Sequence, residues 1–215
     1  MTLLDQFLVP RLRDYWMRLA LRRVHYADRA DKLDLLYRVE NPWHMDTAQE
    51  QARFDWTNRI ISTHLAPLDT ILEIGCGEGH QSQHLSRMCD RLYGIDVSAR
   101  AVRRARRRCP DACFAAGDPF TFRFDDPPPP ALDLVVACEV LYYVKDVPRF
   151  LDRLSRLGRA CLVTYYQGQA LALAPHFAEL PACGRDRFRF GDVEWHAVWW
   201  HNRGRDGRGG DPGGF

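Results

Sequence analysis

The stretch Ile71-Leu72-Glu73-Ile74-Gly75-Cys76-Gly77-Glu78-Gly79-His80 decides how this chain is read. An apolar run of strand length passes directly into three glycines at alternate positions. Glycine lets a backbone turn sharply and approach a ligand closely, which suits a strand-to-helix turn. The spacing is G-x-G-x-G, whereas a pyrophosphate cradle wants G-x-G-x-x-G at a helix N-terminus. Glu73 would also repel a pyrophosphate, so a cationic or zwitterionic ligand suits the loop better.

Working outward, short apolar runs alternate with helical patterns from Thr70 onward. Run 71–74 leads to a helix reaching Met88, and run 92–95 to a helix over 99–108. Run 113–115 follows. Run 132–137 leads to a helix over 147–157, and run 160–165 to one over 170–180. This alternation predicts an α/β fold, a mostly parallel seven-stranded sheet with helices on both faces. Runs 187–190 and 194–200 have no helix between them. Gly191-Asp192 predicts a turn there, so these two form a terminal antiparallel hairpin.

Upstream, Asn41-Pro42 breaks any helix. A helix is predicted from Asp46 or Thr47 to about His64, ended by Pro67. Within residues 3–24, Leu4, Leu8, Leu12, Tyr15, Trp16 and Leu19 fall at helical spacing above an arginine-rich face. Segment 203–215, with six glycines, reads as a disordered tail. The predicted organisation is a helical cap over 1–66, a ligand-binding domain over 67–202 and the tail 203–215.

A length of 215 residues fits one domain. Hydrophobic residues at 46% and charged ones at 27% exclude a disordered polyampholyte. No stretch approaches the ~20 apolar residues of a membrane span. Asp5, Arg11, Arg13, Asp14 and Arg18 interrupt the first apolar pattern, so no secretion signal is read and a cytoplasmic protein is expected. Seven cysteines, an odd number without a C-x-x-C pair, read as reduced thiols. His80 and His84 have metal-ligand spacing but no fixed acidic or cysteine partner, so no metal is expected. The net charge of +2 does not demand a nucleic-acid partner. In the arginine-rich run 100–108, Ala101, Val102 and Ala105 face the sheet and the arginines face water. Without interleaved aromatics this is not read as a nucleic-acid surface.

The second strand ends at Ile95-Asp96, where a carboxylate can accept from both hydroxyls of a ribose. The third ends at Gly117-Asp118, where one can accept from an adenine amine. Acidic strand ends beside a glycine loop, at the carboxyl edge of a parallel sheet, describe a nucleoside pocket.

Over about residues 68–166 this constellation resembles the class I S-adenosylmethionine-dependent methyltransferases, which have a Rossmann-like fold. The resemblance implies S-adenosylmethionine as cofactor. It places Gly75 and Gly77 by the methionine part, with Glu73 and Cys76 in the same turn. Asp96 and Val97 fall by the ribose, Asp118 and Pro119 by the adenine, and Cys138 beside the sulfonium. Asn41-Pro42-Trp43-His44-Met45-Asp46, Arg53, and Cys138-Glu139-Val140-Leu141-Tyr142-Tyr143 resemble the nodulation N-methyltransferases of the NodS type. Those methylate the amine of a chitooligosaccharide. That likeness implies that Trp43 and Arg53 cap the cofactor and that Arg53 pairs with its carboxylate. Gly79, His80 and the tail depart from the NodS pattern. The plainer readings are a core anchor for Trp43 and a surface position for Arg53.

Three residues after the fourth strand are the catalytic candidates. Glu139 could orient or deprotonate an acceptor, and Tyr142 and Tyr143 could hydrogen-bond it or stack on a sugar face; ordinary packing is the plain alternative for the tyrosines. The expected activity is methyl transfer to a small-molecule acceptor, first an amine of an amino sugar or natural-product intermediate. O-methylation of a hydroxyl is the alternative, followed by RNA or protein methylation and by a non-catalytic cofactor-binding module. The first helix reads as a lid, a homodimer contact or a membrane-surface helix.

Overall fold

The computed structural model describes residues 30–202, apart from 131, 179, 181 and 182. The expected first helix, with its lid or dimer role, and the 203–215 tail lie outside the described residues.

Strand β1 (Thr70–Ile74) is buried along its whole length. It pairs in parallel with β2 (Arg91–Asp96) on one side and β4 (Leu132–Cys138) on the other. Strands β3 (Cys113–Ala116) and β5 (Gly158–Tyr166) extend the parallel array. Strand β7 (Val193–His201) runs antiparallel to β5, and β6 (Cys183–Phe190) antiparallel to β7. The sheet has seven strands in the order β3-β2-β1-β4-β5-β7-β6. The order reverses between β1 and β4, and ligands of such sheets bind outside the strand ends at that switch point.

Alternate side chains of the sheet build two cores. Leu72, Ile74, Val135 and Val163 face α5 (Val147–Leu157), which contributes Phe150, Leu151 and Leu154. Ile71, Leu134, Val136 and Leu162 face α2 (Ala48–His64), which contributes Trp56, Ile60 and Ile61. A third cluster seats α4 (Ala99–Arg108) through Val102 and Ala105 against Cys76 and Phe114. With both faces covered, the inner strands are mostly apolar, with Glu73 on β1 a buried exception. From α2, Trp56 Nε1 donates to Asp186 Oδ2 on β6 at 2.9 Å, and its ring stacks on Phe188.

Capping fixes the helices where the sequence placed them. Thr47, Ser98 and Asp146 side chains accept the N–H groups of Glu50, Ala101 and Arg149 at the starts of α2, α4 and α5. Two predicted helices are shorter than expected. Helix α3 is Ser82–Leu85, not a helix to Met88, because Asp90 and Arg91 N–H groups already bond to Asp69 O to start β2. Helix α6 is Ala170–Leu173, since Pro175 turns the chain into a 3-10 segment over Ala174–Phe177. The predicted hairpin forms at Gly191-Asp192, with Phe190 paired to Val193. Ahead of α2, the short α1 (Ala30–Leu36) lies against α4. Among the described residues no helix is long and apolar enough to cross a membrane.

Candidate functional site

The glycine loop is fastened to the neighbouring strand before any ligand arrives. Gly75 and Cys76 N–H groups both donate to Ile95 O, at 2.8 and 3.0 Å. Gly77 N donates to Asp96 Oδ2 at 2.9 Å, and Ser98 N to Asp96 Oδ1 at 2.8 Å. Both carboxylate oxygens are thus held by backbone while their remaining lone pairs face the cavity. Gly75 has φ +77°, and a Cβ on it would come within 2.4 Å of Val140 Cγ2. A Cβ on Gly77, at φ +53°, would meet the Tyr37 hydroxyl at 3.0 Å. Only glycine supplies this bend at this closeness.

The loop floors a cavity of about 290 Å³ at the switch point. Glu50, Glu73, Glu78, Asp96 and Glu139 line it against a single guanidinium, Arg53. Burial pushes the Glu73 carboxyl up to about 8; the Ser82 hydroxyl that donates to it and nearby Arg53 offset only part of this, and Asp96 adds to it. Burial likewise pushes Asp96 up to about 6, against the pull of its two N–H donors. The cavity therefore holds protons that a cationic occupant would displace.

Residues from α1 and the turn behind it close one side. Asn41 ties that turn: its N–H donates to Glu78 Oε2, its Nδ2 to Asp46 Oδ1, and its Oδ1 accepts from Met45 N. Trp43 is held by its Nε1, which donates to the Tyr37 hydroxyl at 3.0 Å. Arg53 on α2 is buried, its Nε on Glu50 Oε2 at 2.8 Å and its guanidinium 4.7 Å from the Phe54 ring centre. Gln81 bridges, accepting from Arg53 and donating through Nε2 to Cys138 Sγ at 3.3 Å. Burial pushes the Cys138 thiol up to about 11, so it is a wall and not a nucleophile.

At the end of β4, Glu139 sits at φ +60°, a conformation rare outside glycine. Its Oε2 accepts from the Tyr142 hydroxyl at 2.7 Å and its Oε1 from Thr164 Oγ1 at 3.0 Å. Burial raises its carboxyl, against the pull of Arg53 and these two donors. Strain held by surrounding packing is a mark of functional sites. The rings of Tyr142 and Tyr143 meet edge to face, and Trp43 lies 6.1 Å from Tyr143.

The cavity brings together the predicted residues Trp43, Arg53, Glu73, Gly75, Cys76, Gly77, Asp96, Val97, Cys138, Glu139, Tyr142 and Tyr143. Arg53 is no surface residue. Asp118 and Pro119 are not in the lining. Asp118 Oδ1 turns back to accept Phe120 N at 2.8 Å, and Pro119 O accepts from Arg153. Sequence reasoning missed Leu33, Tyr37, Glu50 and Gln81 as lining residues. Leu33 and Tyr37 precede the Asn41-Pro42 break with no motif to flag them. Glu50 and Gln81 carry signal only through Arg53, which both touch. His80 lines the cavity, whereas His84 turns to Gln51 and Asp55. Among the described residues no cluster of His, Cys, Asp and Glu could hold a metal.

A methyltransferase domain model matches residues 72–160. Nodulation protein S of Sinorhizobium fredii is 36% identical over 113 residues, 51% of this chain and 50% of that protein. The chain is thus similar to the class I S-adenosylmethionine-dependent methyltransferases, and among them to the NodS-like kind. The ubiquinone biosynthesis O-methyltransferase of Rhodopseudomonas palustris is 30% identical over 132 residues, 60% of this chain and 51% of that protein. The chain thus spans about half the length of the curated relatives it matches. The crystal structure of the N-methyltransferase NodS from Bradyrhizobium japonicum, in complex with S-adenosyl-L-homocysteine, superposes with a TM-score of 0.68. It is 23% identical, and the match covers 81% of this chain and 98% of that one. The class I methyltransferases use S-adenosylmethionine, and the residues present fit it. A cradle that only glycine leaves open and a carboxylate presented at the end of β2 suit a zwitterionic nucleoside.

Proposed function

We propose that this protein methylates the amine of a small amino sugar or natural-product intermediate, with S-adenosylmethionine as donor. The observation that carries the reading is the sign of the cleft, in which five carboxylates face one guanidinium. Such a lining favours a sulfonium and an ammonium and opposes a pyrophosphate. When bound, the cofactor supplies a methyl already activated by its sulfonium, so the protein needs no covalent intermediate.

The residues then divide the remaining work. Asp96, the Gly75–Gly77 turn and Arg53 hold the cofactor's ribose, amino-acid end and carboxylate. Trp43, clamped by Tyr37, excludes water from that side. Tyr142 and Tyr143 position the acceptor, since in-line placement at near-attack distance is the main catalytic demand. Glu139, its carboxyl raised by burial and oriented by Tyr142 and Thr164, takes the proton an ammonium acceptor must lose on a remaining carboxylate lone pair. Among the described residues, those up to 66 act as the cap and 67–202 as the transferase domain. The seven free thiols suit a reducing compartment, and we place the enzyme in the cytoplasm.

The test offers methyl-labelled S-adenosylmethionine with a chitooligosaccharide bearing one free amine, and with its fully N-acetylated form. Label is expected on the free amine alone. Transfer to hydroxyls of both sugars would replace this reading with O-methylation, as the likeness to the ubiquinone O-methyltransferase favours. Folded protein that retains no labelled cofactor would overturn the methyltransferase reading itself.

A further inference from the structure

A second recess, of about 520 Å³, shares Tyr37 with the cofactor cleft. Arg100, Arg103, Arg104 and Arg107 line it, a spacing of i, i+3, i+4 and i+7 that puts all four on one face of α4. Arg38, at the end of α1, completes it, and Glu40 is the single carboxylate in the lining. Glu40 approaches Arg104 only to 3.9 Å and is itself 81% exposed. Arg100 is committed to Asp34, through its Nε at 2.9 Å. Arg104 is committed to Glu78 and to Val39 O. Among the described residues, the guanidiniums of Arg38, Arg103 and Arg107 form no ion pair or hydrogen bond, and all three residues are exposed. Like charges at this spacing repel, and among the described residues no carboxylate pairs with these three guanidiniums.

We infer that this recess binds a small multivalent oxyanion of the phosphate class, a free di- or triphosphate, and that the bound anion braces α1 over the cofactor cleft. The guanidinium fork matches phosphate oxygens two at a time, and three unengaged forks around one concavity suit two or three linked phosphates. A nucleic-acid backbone is the poorer fit, because the recess offers no exposed aromatic platform; Tyr37 is buried with its hydroxyl engaged by Trp43. The brace follows from connectivity. Arg38 is the next residue after Tyr37, and Tyr37 holds Trp43 and abuts the Gly77 backbone. An anion drawing Arg38 toward Arg103 and Arg107 therefore fixes one wall of the cleft. The anion site stands apart from the proposed methyl transfer; the brace rests on the cleft being the cofactor site.

The full-length protein is titrated with inorganic triphosphate by calorimetry, in a phosphate-free buffer at constant ionic strength and without cofactor. Saturable binding at one site is expected. The double variant Arg103→Gln, Arg107→Gln and, separately, Arg38→Gln should each weaken it about tenfold or more, with unchanged circular dichroism. S-adenosylhomocysteine should then bind about fivefold tighter with triphosphate present than without, a gain lost in the double variant. No saturable heat beyond a sodium chloride control, or equal binding by the variants, would overturn the anion site. An oligonucleotide that binds more tightly than triphosphate through the same arginines would overturn it in favour of a nucleic-acid surface. Triphosphate binding with no change in S-adenosylhomocysteine affinity would overturn the brace. If S-adenosylhomocysteine does not bind at all, the cofactor assignment and the brace fall together, while the anion site stands on the titration made without cofactor.

Discussion

The cofactor cleft and the arginine recess have Tyr37 as a common wall, yet their linings carry opposite charge. In the cleft, Glu73 is held by a hydroxyl and Asp96 by backbone N–H groups, and burial pushes both toward their protonated forms. In the recess, three of the guanidiniums are exposed and unengaged. Buried charge is costly unless a ligand of opposite sign arrives, so the cleft is selective; exposed charge costs little, so the recess is screened by salt. The contrast teaches that the same chain can sort ligands by charge over the thickness of one tyrosine. Glu78 is the hinge of the contrast, lining the cleft while paired to Arg104 of the recess. Burial pushes its carboxyl up, but His80, Arg104 and Asn41 together hold it below its ordinary value. It therefore stays ionised between the two sites.

The largest break in this comparison should come from Asp96→Ala. It removes the carboxylate that the Gly77 and Ser98 N–H groups hold toward the cleft. S-adenosylhomocysteine affinity is expected to fall about a hundredfold by calorimetry, while triphosphate affinity stays within about twofold. Equal losses at both sites would mean that the variant had disturbed the whole domain.

A smaller effect follows from Glu73. The unfolded chain sheds this proton near the ordinary value of 4.5, and the folded chain keeps it to about 8. The folded state thus binds more protons across that window, and the stability of the ligand-free protein falls as pH rises through it. From this one group the slope is at most about 1.4 kcal/mol per pH unit. Urea unfolding across the window should show it, and Glu73→Gln should flatten it. A cationic ligand favours the ionised carboxylate, so S-adenosylmethionine should bind more tightly toward the alkaline end. Glu73 does not line the arginine recess, so any rise in triphosphate affinity over that window should track ionisation of the anion at about pH 6 and survive Glu73→Gln.

The smallest expected effect sharpens the comparison at the shared wall. Tyr37→Phe keeps the ring and removes the acceptor of the Trp43 N–H. A loss of about 0.5–1.5 kcal/mol in S-adenosylhomocysteine binding is expected. The tightening by triphosphate should shrink with it. If the tightening survives intact, the two concavities communicate by some route other than this side chain.

Most of the architecture was legible because it is local. The pattern of the sheet, the boundaries of α4 and α5, and the final turn follow from apolar period, side-chain caps and a Gly-Asp pair. The short α3 was not legible, since its end is set by Asp69 reaching across from the start of β1. In the site, the glycine loop, Asp96, Cys138 and Glu139 announced themselves by falling at strand ends. Tyr37 and Gln81 did not, because a tyrosine and an amide become functional only through what they meet in space. Asp118 shows the converse. It falls at a strand end by spacing, but its carboxylate is spent on its own turn.

The bond from the Trp56 indole to Asp186 spans 130 residues and sets an order of assembly. A ribosome releases α2 long before it delivers the strand that completes the seat of that helix. Arg53 lies one turn ahead of Trp56 on the same helix, so the hairpin that anchors Trp56 also steadies the helix that carries Arg53 into the cleft. The nascent chain can close its parallel strands early and still lack a finished roof. The final hairpin lines no part of the cleft, yet it completes the apolar seat of the helix that does.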